Sequence, residues 1–422
     1  VTEGEISFEK DFSFLDGAEV ILTGNNVVTA DGIHQQTIST SDDNSGVRDL
    51  VIENTSDTVT ITSTTRSFHV FDTLTLNSNS AMIVDDSLRI GSMVNVSSSA
   101  YLEVDGGNMQ GDGNMEVDGE VELKAGNIRV MDSFSLPSGG IININNGSDL
   151  FLDRPYSGTF FPLGGTVNLN NGSLQATYDG VLMESGSVLN LHPDGILKTG
   201  WSFSAVYAGS TPVLGGLVEM IGSNPAQLNI DVGNSLSNLK INKTTGVSVV
   251  LLESLTVDGD ITINSGILES NGNEISLSGD WINSVGTSGF DEGTNYVHFT
   301  GTGLSTISND ETFYEFIVEK TGNADARVEL APGQTITSTY VTSILDGSVI
   351  MNNNSTLDIN RLNILSGGGL VCDTIHESYI NLTGDWYNYN TGFTDSTGFR
   401  YGKSTVTFTG TEKQALTSSS PT

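Results

Sequence analysis

A long internal repeat constrains this chain of 422 residues more than any other feature. One cycle occupies residues 290–321 and contains a Phe-x-x-Gly opening, a strand that ends in Thr-Gly and a later strand that ends in Lys-Thr. The opening recurs at 399–410 and 14–24, and the closing strand recurs at 239–244 and, with Asn in place of Lys, at 50–55. A repeat this long predicts a solenoid or an array, in which each unit packs mainly on its neighbours.

A shorter period lies within the long one. The phrase at 139–148 matches the phrase at 164–173, and a further match at 188–191 follows. Alternating apolar and polar residues in these segments are typical of strands with one face directed inward. A unit of 22–25 residues with two or three short strands predicts one coil of a parallel β-helix. An antiparallel sandwich would instead need hairpin turns between neighbouring strands.

The predicted fold is therefore all-β. We expect one continuous, right-handed parallel β-helix (β-solenoid) over residues 1–422, with aromatic loop excursions and roughly 17 coils that rise about 4.8 Å each. Within it, residues 1–60 are the first repeat unit, 61–184 form short regular coils and 185–422 form the long-period units.

Asparagine and glycine cluster where the predicted strands end. Glycine adopts positive φ without steric cost, and asparagine tolerates it and can bond to an asparagine in the next coil. We therefore predict corners of the solenoid at 145–147, 170–172, 271–273 and 352–354.

The three tryptophans share one phase of the repeat. Each follows a glycine at the end of an apolar strand. Large rings at one phase of a solenoid fill the same notch in successive cycles. We therefore expect Trp201, Trp281 and Trp386 to occupy equivalent structural positions.

Charge and cysteine content restrict the function. The chain has 51 acidic and 16 basic residues and a net charge of −35, which opposes binding to nucleic acid or to an anionic membrane surface. The single cysteine, Cys372, excludes an intramolecular disulfide and is predicted to pack as a small apolar residue. No apolar segment approaches the roughly 18 residues of a membrane span. We expect neither a nucleic-acid partner nor membrane insertion.

No catalytic set of residues is evident. Polysaccharide lyases need a base beside Arg or Lys, and glycosidases need clustered carboxylates; here the basic residues are dispersed, so we predict no enzyme activity and no catalytic residues. The histidines lack metal-ligand spacing and no phosphate-binding loop is present, so no cofactor is expected. The alternative is calcium binding at one of two segments, with oxygen ligands from Asp42 and Asp43 or from Asp258 and Asp260, although neither segment matches an EF-hand loop.

Two aromatic-rich segments are predicted to leave the coil as loops. The interval from Trp386 to Phe408 exceeds that from Trp281 to Phe299 by four residues and contains several aromatic rings. Such rings can stack on sugars or on a partner, and the alternative is that they cap an apolar seam. The candidate partner or carbohydrate contacts are Tyr387, Tyr389, Phe393 and Tyr401, with Tyr156 and Phe160 in the second segment.

Several phrases resemble the repeat region of secreted Bacteroidota surface β-helix and adhesin proteins of the type IX-secreted kind. These phrases are residues 239–244, 255–266, 277–281 and 290–301. The resemblance extends over about 185–422 and is partial over 1–60. It implies a large exported protein with an adhesive or scaffold-like role at the bacterial cell surface.

The resulting hypothesis is an extracellular structural or adhesive rod, a segment of a large cell-surface or filament protein. Its expected partners are flanking segments of the same polypeptide, other surface or filament proteins, and glycans. The second hypothesis is a carbohydrate-binding or carbohydrate-active β-helix, which a cleft with two carboxylates about 5–10 Å apart would favour. Because residue 1 is not Met and the repeat is interrupted near both ends, we also expect a mature segment of a longer protein.

Overall fold

The computed structural model describes residues 3–14, 25–40, 46–63, 67–154, 159–206, 213–231, 233–322, 325–390 and 397–418. These residues form short strands and one 3₁₀ turn, Thr287–Gly289, and among them no helix is long and apolar enough to cross a lipid bilayer. Packing divides the chain into two compact units, Val1–Val218 (unit 1) and Glu219–Thr422 (unit 2). The division falls at residue 218, whereas the repeat pattern placed its boundaries at 60 and 184.

The described strands of unit 1 are short segments separated by turns. They are β1 (Glu3–Phe8), β2 (Phe12–Phe14), β3 (Asn25–Ala30), β4 (Gln36–Thr40), β5 (Gly46–Val47), β6 (Asp49–Ile52), β7 (Thr58–Ser63), β8 (Phe68–Val70), β9 (Thr73–Leu76), β10 (Ala81–Val84), β11 (Leu88–Ile90), β12 (Met93–Val96), β13 (Tyr101–Gly111), β14 (Asn114–Val117), β15 (Glu120–Val130), β16 (Phe134–Ser135), β17 (Ile141–Ile144), β18 (Asp149–Leu152), β19 (Phe160–Leu163), β20 (Thr166–Leu169), β21 (Ser173–Ala176), β22 (Gly180–Met183), β23 (Val188–Leu191), β24 (Ile196–Thr199), β25 (Phe203–Ala205) and β26 (Val213–Leu214). The next strand, β27 (Leu217–Gly222), contains the division between the units.

The described strands of unit 2 follow the same plan, with a few longer members. They are β28 (Ala226–Ile230), β29 (Asn238–Lys243), β30 (Ser248–Leu251), β31 (Leu255–Val257), β32 (Ile261–Ser265), β33 (Ile267–Glu269), β34 (Ile275–Leu277), β35 (Trp281–Asn283), β36 (Phe290–Asp291), β37 (Tyr296–Phe299), β38 (Leu304–Ile307), β39 (Glu311–Glu319), β40 (Arg327–Leu330), β41 (Thr335–Met351), β42 (Thr356–Ile359), β43 (Leu362–Cys372), β44 (Ser378–Leu382), β45 (Trp386–Asn388), β46 (Gly398–Arg400), β47 (Ser404–Phe408) and β48 (Leu416–Ser418).

The strands pair in parallel with strands about one turn away in the sequence. Ile142 of β17 pairs with Val167 of β20, and Asn168 of β20 pairs with Asn190 of β23. Parallel neighbours need a connection that returns to the same end of the strand, and here the remainder of each turn provides it. The predicted parallel β-solenoid is confirmed, with about 16 turns against the roughly 17 expected.

The core lies inside the coils, where alternate residues of successive strands stack. In unit 1, Val94 pairs with Leu74 on one side and Met115 on the other, and all three are buried. In unit 2, Leu357 pairs with Ile380 in the same manner. Each such side chain contributes about 1.5–3 kcal/mol through burial. The alternation of apolar and polar residues therefore determines which face of each strand packs into the core.

Asparagines form a ladder on the outer face of unit 1. The Nδ2 of Asn168 donates to Oδ1 of Asn143, and the Nδ2 of Asn190 donates to Oδ1 of Asn168, each at 2.7 Å. At the predicted corners, Asn146 and Asn271 have φ of 52°. These residues occupy the left-handed region that asparagine tolerates, as the corner prediction required.

The single cysteine packs inward. Cys372 is the last residue of β43 and pairs with Met351 of β41, and its Sγ lies 3.9 Å from the Met351 Sδ. Burial raises the pKa of the Cys372 thiol. The prediction that it packs as a small apolar residue is confirmed.

Candidate functional site

Two buried lysines in unit 2 bind backbone oxygens of earlier turns. Lys320 follows β39, and its Nζ donates to the carbonyl oxygens of Thr300 at 2.7 Å and Ser278 at 3.1 Å. Lys243 ends β29 and donates to the carbonyl oxygen of Ile221 at 2.6 Å. Burial lowers the pKa of each amine to about 8, because the charged form loses hydration. Each lysine thus joins its own turn to an earlier one.

A carboxylate is also enclosed in the core of unit 2. The Oε2 of Glu311 accepts hydrogen bonds from Trp281 Nε1 and Asn283 Nδ2, each at 2.7 Å. Its Oε1 accepts one from the backbone N–H of Thr312 at 2.9 Å. Burial raises the pKa of Glu311 to about 7, and these hydrogen bonds oppose the shift. Glu311 is therefore a buried carboxyl group that three hydrogen bonds hold in place.

Trp281 and Trp386 occupy corresponding positions. Each begins a strand, β35 or β45, and each packs edge to face on a phenylalanine, with ring centroids 4.8 Å apart for Trp281 on Phe290 and for Trp386 on Phe399. The interplanar angles are 73° and 72°. Both indoles are buried.

Trp201 does not share that position, so the expected equivalence of all three tryptophans is wrong. It lies outside a strand, is half-buried, and packs on Phe160 with centroids 4.9 Å apart. Trp201 follows its glycine directly, whereas one aspartate separates the glycine from Trp281 and from Trp386. The spacing between glycine and tryptophan therefore differs, and so does the position of the indole.

The aromatic contacts predicted from sequence are distributed over both units. Tyr387 and Tyr389 are stacked with centroids 6.0 Å apart at 2°, and the Tyr387 hydroxyl donates to Asp385 at 2.9 Å. Tyr389 and Tyr401 are exposed, whereas Phe160 packs on an indole. Phe393 and Tyr156 lie outside the described residues.

Two of the four calcium candidates lie among the described residues. Asp42 and Asp43 lie outside the described residues. Asp258 accepts a hydrogen bond from the Ser235 hydroxyl at 2.5 Å, and Asp260 accepts one from the backbone N–H of Asp280 at 2.8 Å. In the described part of the chain, no group of three or more His, Cys, Asp or Glu residues could hold a metal ion.

A polar groove of about 370 Å³ lies on the outer face of unit 1. Arg129, Phe151 and Gln175 line it from adjacent parallel strands, where Arg129 pairs with Phe151 and Phe151 with Gln175. The Arg129 guanidinium lies 4.9 Å above the Phe151 ring and 2.6 Å from the Asp153 carboxylate. Tyr178 adds an exposed ring at the rim.

The lining of this groove is chemically mixed. It combines a stacked guanidinium, a carboxylate, an amide and exposed aromatic faces, which are the groups that fix orientation in small-molecule sites. Asp153 is the one carboxylate among its lining residues. A pair of carboxyl groups, which glycoside hydrolysis uses, is not among these lining residues.

A second groove, also of about 370 Å³ and mainly apolar, lies at the last described turn of unit 2. It is lined by Trp386 together with residues of β47 and β48. Phe408 is 46% exposed and Leu416 is 69% exposed. Their counterparts one repeat earlier, Phe299 and Ile307, are 0% exposed because β39 and β40 cover them. We call this surface the open edge.

Strand pairing shows that the turn at the open edge corresponds to the turn of Phe299 and Ile307. Phe299 and Phe408 both end a strand that precedes Thr-Gly. Ile307 pairs with Trp281, and Leu416 pairs with Trp386. The two turns therefore have equivalent pairing, and among the described strands none pairs with the other edge of β47 or β48.

Comparison with known proteins finds no matching family model, no matching curated protein and no matching solved structure. The resemblance to secreted Bacteroidota repeats therefore stays a prediction from the residues alone.

Proposed function

We propose that this chain is an extracellular structural and adhesive element, a segment of a β-solenoid rod in a bacterial cell-surface or filament protein. The stacking of each turn on the next through parallel strand pairs, repeated over about 16 turns, is the observation that supports this most. A repeat that grows in one direction by contacts between neighbouring turns suits a spacer or scaffold.

Bonds between turns support the same role. Lys320 joins its turn to the turns of Thr300 and Ser278, and the asparagine ladder joins Asn143 to Asn168. Buried hydrogen bonds cost free energy when they are broken. These ties resist separation of successive turns, as a rod under tension requires.

Localisation on intact cells tests the proposal. Antibodies against the chain are applied to the producing cells, and immunogold label is viewed by electron microscopy before and after permeabilisation. We expect label on the outer surface or on filaments of intact cells. Label that appears only after permeabilisation would overturn the proposal.

A second experiment addresses adhesion. Beads coated with the native chain are compared with beads coated with heat-unfolded chain for attachment to the producing cells. Since adhesion would depend on the folded outer faces, we expect attachment only with the native chain. Equal attachment of both kinds of bead would remove the adhesive part of the proposal.

The groove at Arg129 favours a second function, carbohydrate binding. Its guanidinium and the Asp153 carboxylate can bond to sugar hydroxyls, and the exposed Tyr178 ring offers a face for stacking. The groove volume of about 370 Å³ lies within the range of small-ligand sites.

A glycan array with matched arginine variants tests this second function. Arg129→Gln removes the charge and the fork of donors from the groove. Arg89→Gln is the control, because Arg89 is also an outward arginine of unit 1, paired with Asp112 at 2.8 Å, but does not line the groove. We expect the native chain and the control to bind a common glycan and Arg129→Gln to lose it. Absence of binding by the native chain would exclude this function.

A further inference from the structure

The column of outward residues that contains Arg129 continues past the groove in unit 1. Arg129 pairs with Phe151, Phe151 with Gln175, and Gln175 with Lys198, all in parallel register. These residues therefore lie side by side on four successive turns, and we call this column the stripe. Paired strands lie about 4.8 Å apart, so the stripe is about 14 Å long. A single sugar ring is shorter and would leave part of the stripe uncovered.

The groove part of the stripe offers both donors and an acceptor of hydrogen bonds. The Arg129 guanidinium lies 4.9 Å above the Phe151 ring and 2.6 Å from the Asp153 carboxylate, and its five N–H groups exceed what that one partner uses. The Nε2 of Gln175 donates to the Thr177 hydroxyl at 3.1 Å, which leaves the amide oxygen as an acceptor. Sugar hydroxyls both donate and accept, so they match this pattern.

Lys198 lies one turn beyond the lining of the groove. Its side chain is half-buried, and its amine has no hydrogen-bond partner or ion pair among the residues that the structure describes. An ammonium group carries three N–H donors. A ligand that continues past the groove along the stripe therefore meets donors that the protein itself does not use.

The column on the other side of Arg129 is engaged in bonds within the protein. Gln110 pairs with Arg129, and its Nε2 donates to Oδ1 of Asp112 at 2.6 Å. Arg89 donates to Oδ2 of the same carboxylate from Nε at 2.9 Å and from Nη2 at 2.8 Å. Since these donors converge on Asp112, the site extends from the groove toward Lys198.

Charge favours a ligand without ionised groups. Asp153 is the one carboxylate that lines the groove, and its ion pair with Arg129 leaves the two together neutral. The whole chain has a net charge of −35, which opposes the approach of a polyanion. One amine, that of Lys198, does not offset this charge.

We propose that the stripe binds a neutral linear polysaccharide that runs parallel to the stack of turns, with one sugar residue on each turn and Lys198 as the contact beyond the groove. A sugar residue in an extended chain advances by about the distance between paired strands, so successive sugar residues meet successive turns. This inference rests on the proposed carbohydrate-binding function, and it adds the class of glycan and the direction in which the glycan lies.

Isothermal titration of the native chain with oligosaccharides of increasing length tests the proposal. The probes are cello-, xylo- and manno-oligosaccharides from the disaccharide to the octasaccharide. In at least one series we expect the affinity to rise about tenfold from disaccharide to tetrasaccharide, because each further residue adds hydrogen bonds of modest net strength. Beyond the tetrasaccharide the affinity should level off, since the stripe spans four turns.

Lys198→Met locates the end of the site. Methionine keeps most of the side-chain volume and removes the donors, so the gain in affinity from trisaccharide to tetrasaccharide should disappear. Lys124→Met is the matched control, because Lys124 is also an outward lysine of unit 1, paired with Glu103 at 2.7 Å, and follows the part of β15 that pairs with β17. The control should show the length dependence of the native chain.

A charged series separates a neutral ligand from an anionic one. Oligogalacturonides of the same lengths are titrated at low and at high salt. We expect them to bind more weakly than the best neutral series at low salt, and we expect affinity for the neutral series not to change with salt. A site for polyanions would instead bind the charged series more tightly and lose affinity as salt is added.

Failure of this inference can be told apart from failure of the function on which it rests. Glycan binding that does not strengthen with chain length would overturn the stripe as the site, as would an unchanged length dependence in Lys198→Met. Tighter binding of oligogalacturonides than of every neutral series would overturn the neutral class. Each of these results would leave carbohydrate binding standing, whereas a native chain that binds no glycan would remove the function and the inference together. Circular dichroism checks the folding of both variants, and the length series needs only the native chain.

Discussion

The buried amine of Lys320 donates a hydrogen bond to the carbonyl oxygen of Thr300, 2.7 Å away and 20 residues earlier in the sequence. Lys320→Met keeps most of the side-chain volume but removes the donor. Since the carbonyls of Thr300 and Ser278 lose a partner in a buried site, we expect the free energy of unfolding to fall by about 1–3 kcal/mol. Urea unfolding followed by circular dichroism measures the change.

Lys413→Met is the control for that measurement, because Lys413 is exposed. Surface substitutions usually change stability by less than about 0.5 kcal/mol. Equal losses in the two variants would show that the bonds of Lys320 contribute nothing specific.

The buried amine of Lys320 also makes the free energy of unfolding change with pH in the alkaline range. Burial lowers the pKa of Lys320 from 10.5 to about 8 in the folded chain. Between these values the unfolded chain keeps a proton that the folded chain has released, so folding becomes more favourable as pH rises. The unfolding free energy of wild type minus that of Lys320→Met should therefore increase from pH 8 to 10.5. A difference that stays constant over this range would contradict the low pKa.

We expect Glu311 to make the free energy of unfolding fall, rather than increase, as pH rises from 4.5 to about 7. Its pKa is raised from 4.5 to about 7, so between these values the folded chain holds a proton that the unfolded chain has lost. Stability contributed by this group is present below pH 4.5 and is lost as pH rises through 7. Wild type should lose more unfolding free energy than Glu311→Gln between pH 4.5 and 7.

Urea midpoints at several pH values measure this difference, with Glu412→Gln as the control at an exposed position. The control should follow the wild-type curve, because an exposed carboxylate is hydrated in both states. Parallel curves for wild type and Glu311→Gln would refute the assignment of the slope to Glu311.

We expect truncation of Trp281 and of Trp201 to lower the free energy of unfolding by different amounts. Trp281 is fully buried against Phe290 and Phe313, whereas Trp201 is half-buried on Phe160. Trp281→Ala should lower the free energy of unfolding by about 3–5 kcal/mol through the cavity it leaves. Trp201→Ala should cost less, because water can occupy part of its site. Chemical unfolding of both variants checks the order, and a larger loss for Trp201→Ala would contradict the assigned positions.

Strand register could be predicted from sequence where matching phrases lie one turn apart. The offset of 25 between Asn143 and Asn168 is the register of β17 on β20, and the offset of 22 between Asn168 and Asn190 is that of β20 on β23. Residues at equivalent positions in successive turns have the same surroundings, so similar side chains suit them. Matching phrases in the sequence therefore indicate which residues pair.

The candidate sites could not be predicted in the same way. Arg129, Phe151 and Gln175 occupy outward positions whose identities do not repeat, so only the register shows that they are neighbours. Glu311 and Lys320 are charged residues, which a strand pattern assigns to the surface because burial of charge is costly. Their burial depends on hydrogen-bond partners from other turns, which are far apart in the sequence.

The number of residues between paired strands also affects how the chain folds. Each new pair, such as Asn143 with Asn168, closes a loop of similar length, so the entropic cost of closure is nearly the same at every step. Contacts between segments this close in sequence give a low relative contact order, which favours rapid growth from a nucleus. Turns of unit 1 can therefore be complete while unit 2 is still being synthesised, and folding proceeds in the direction in which the chain emerges.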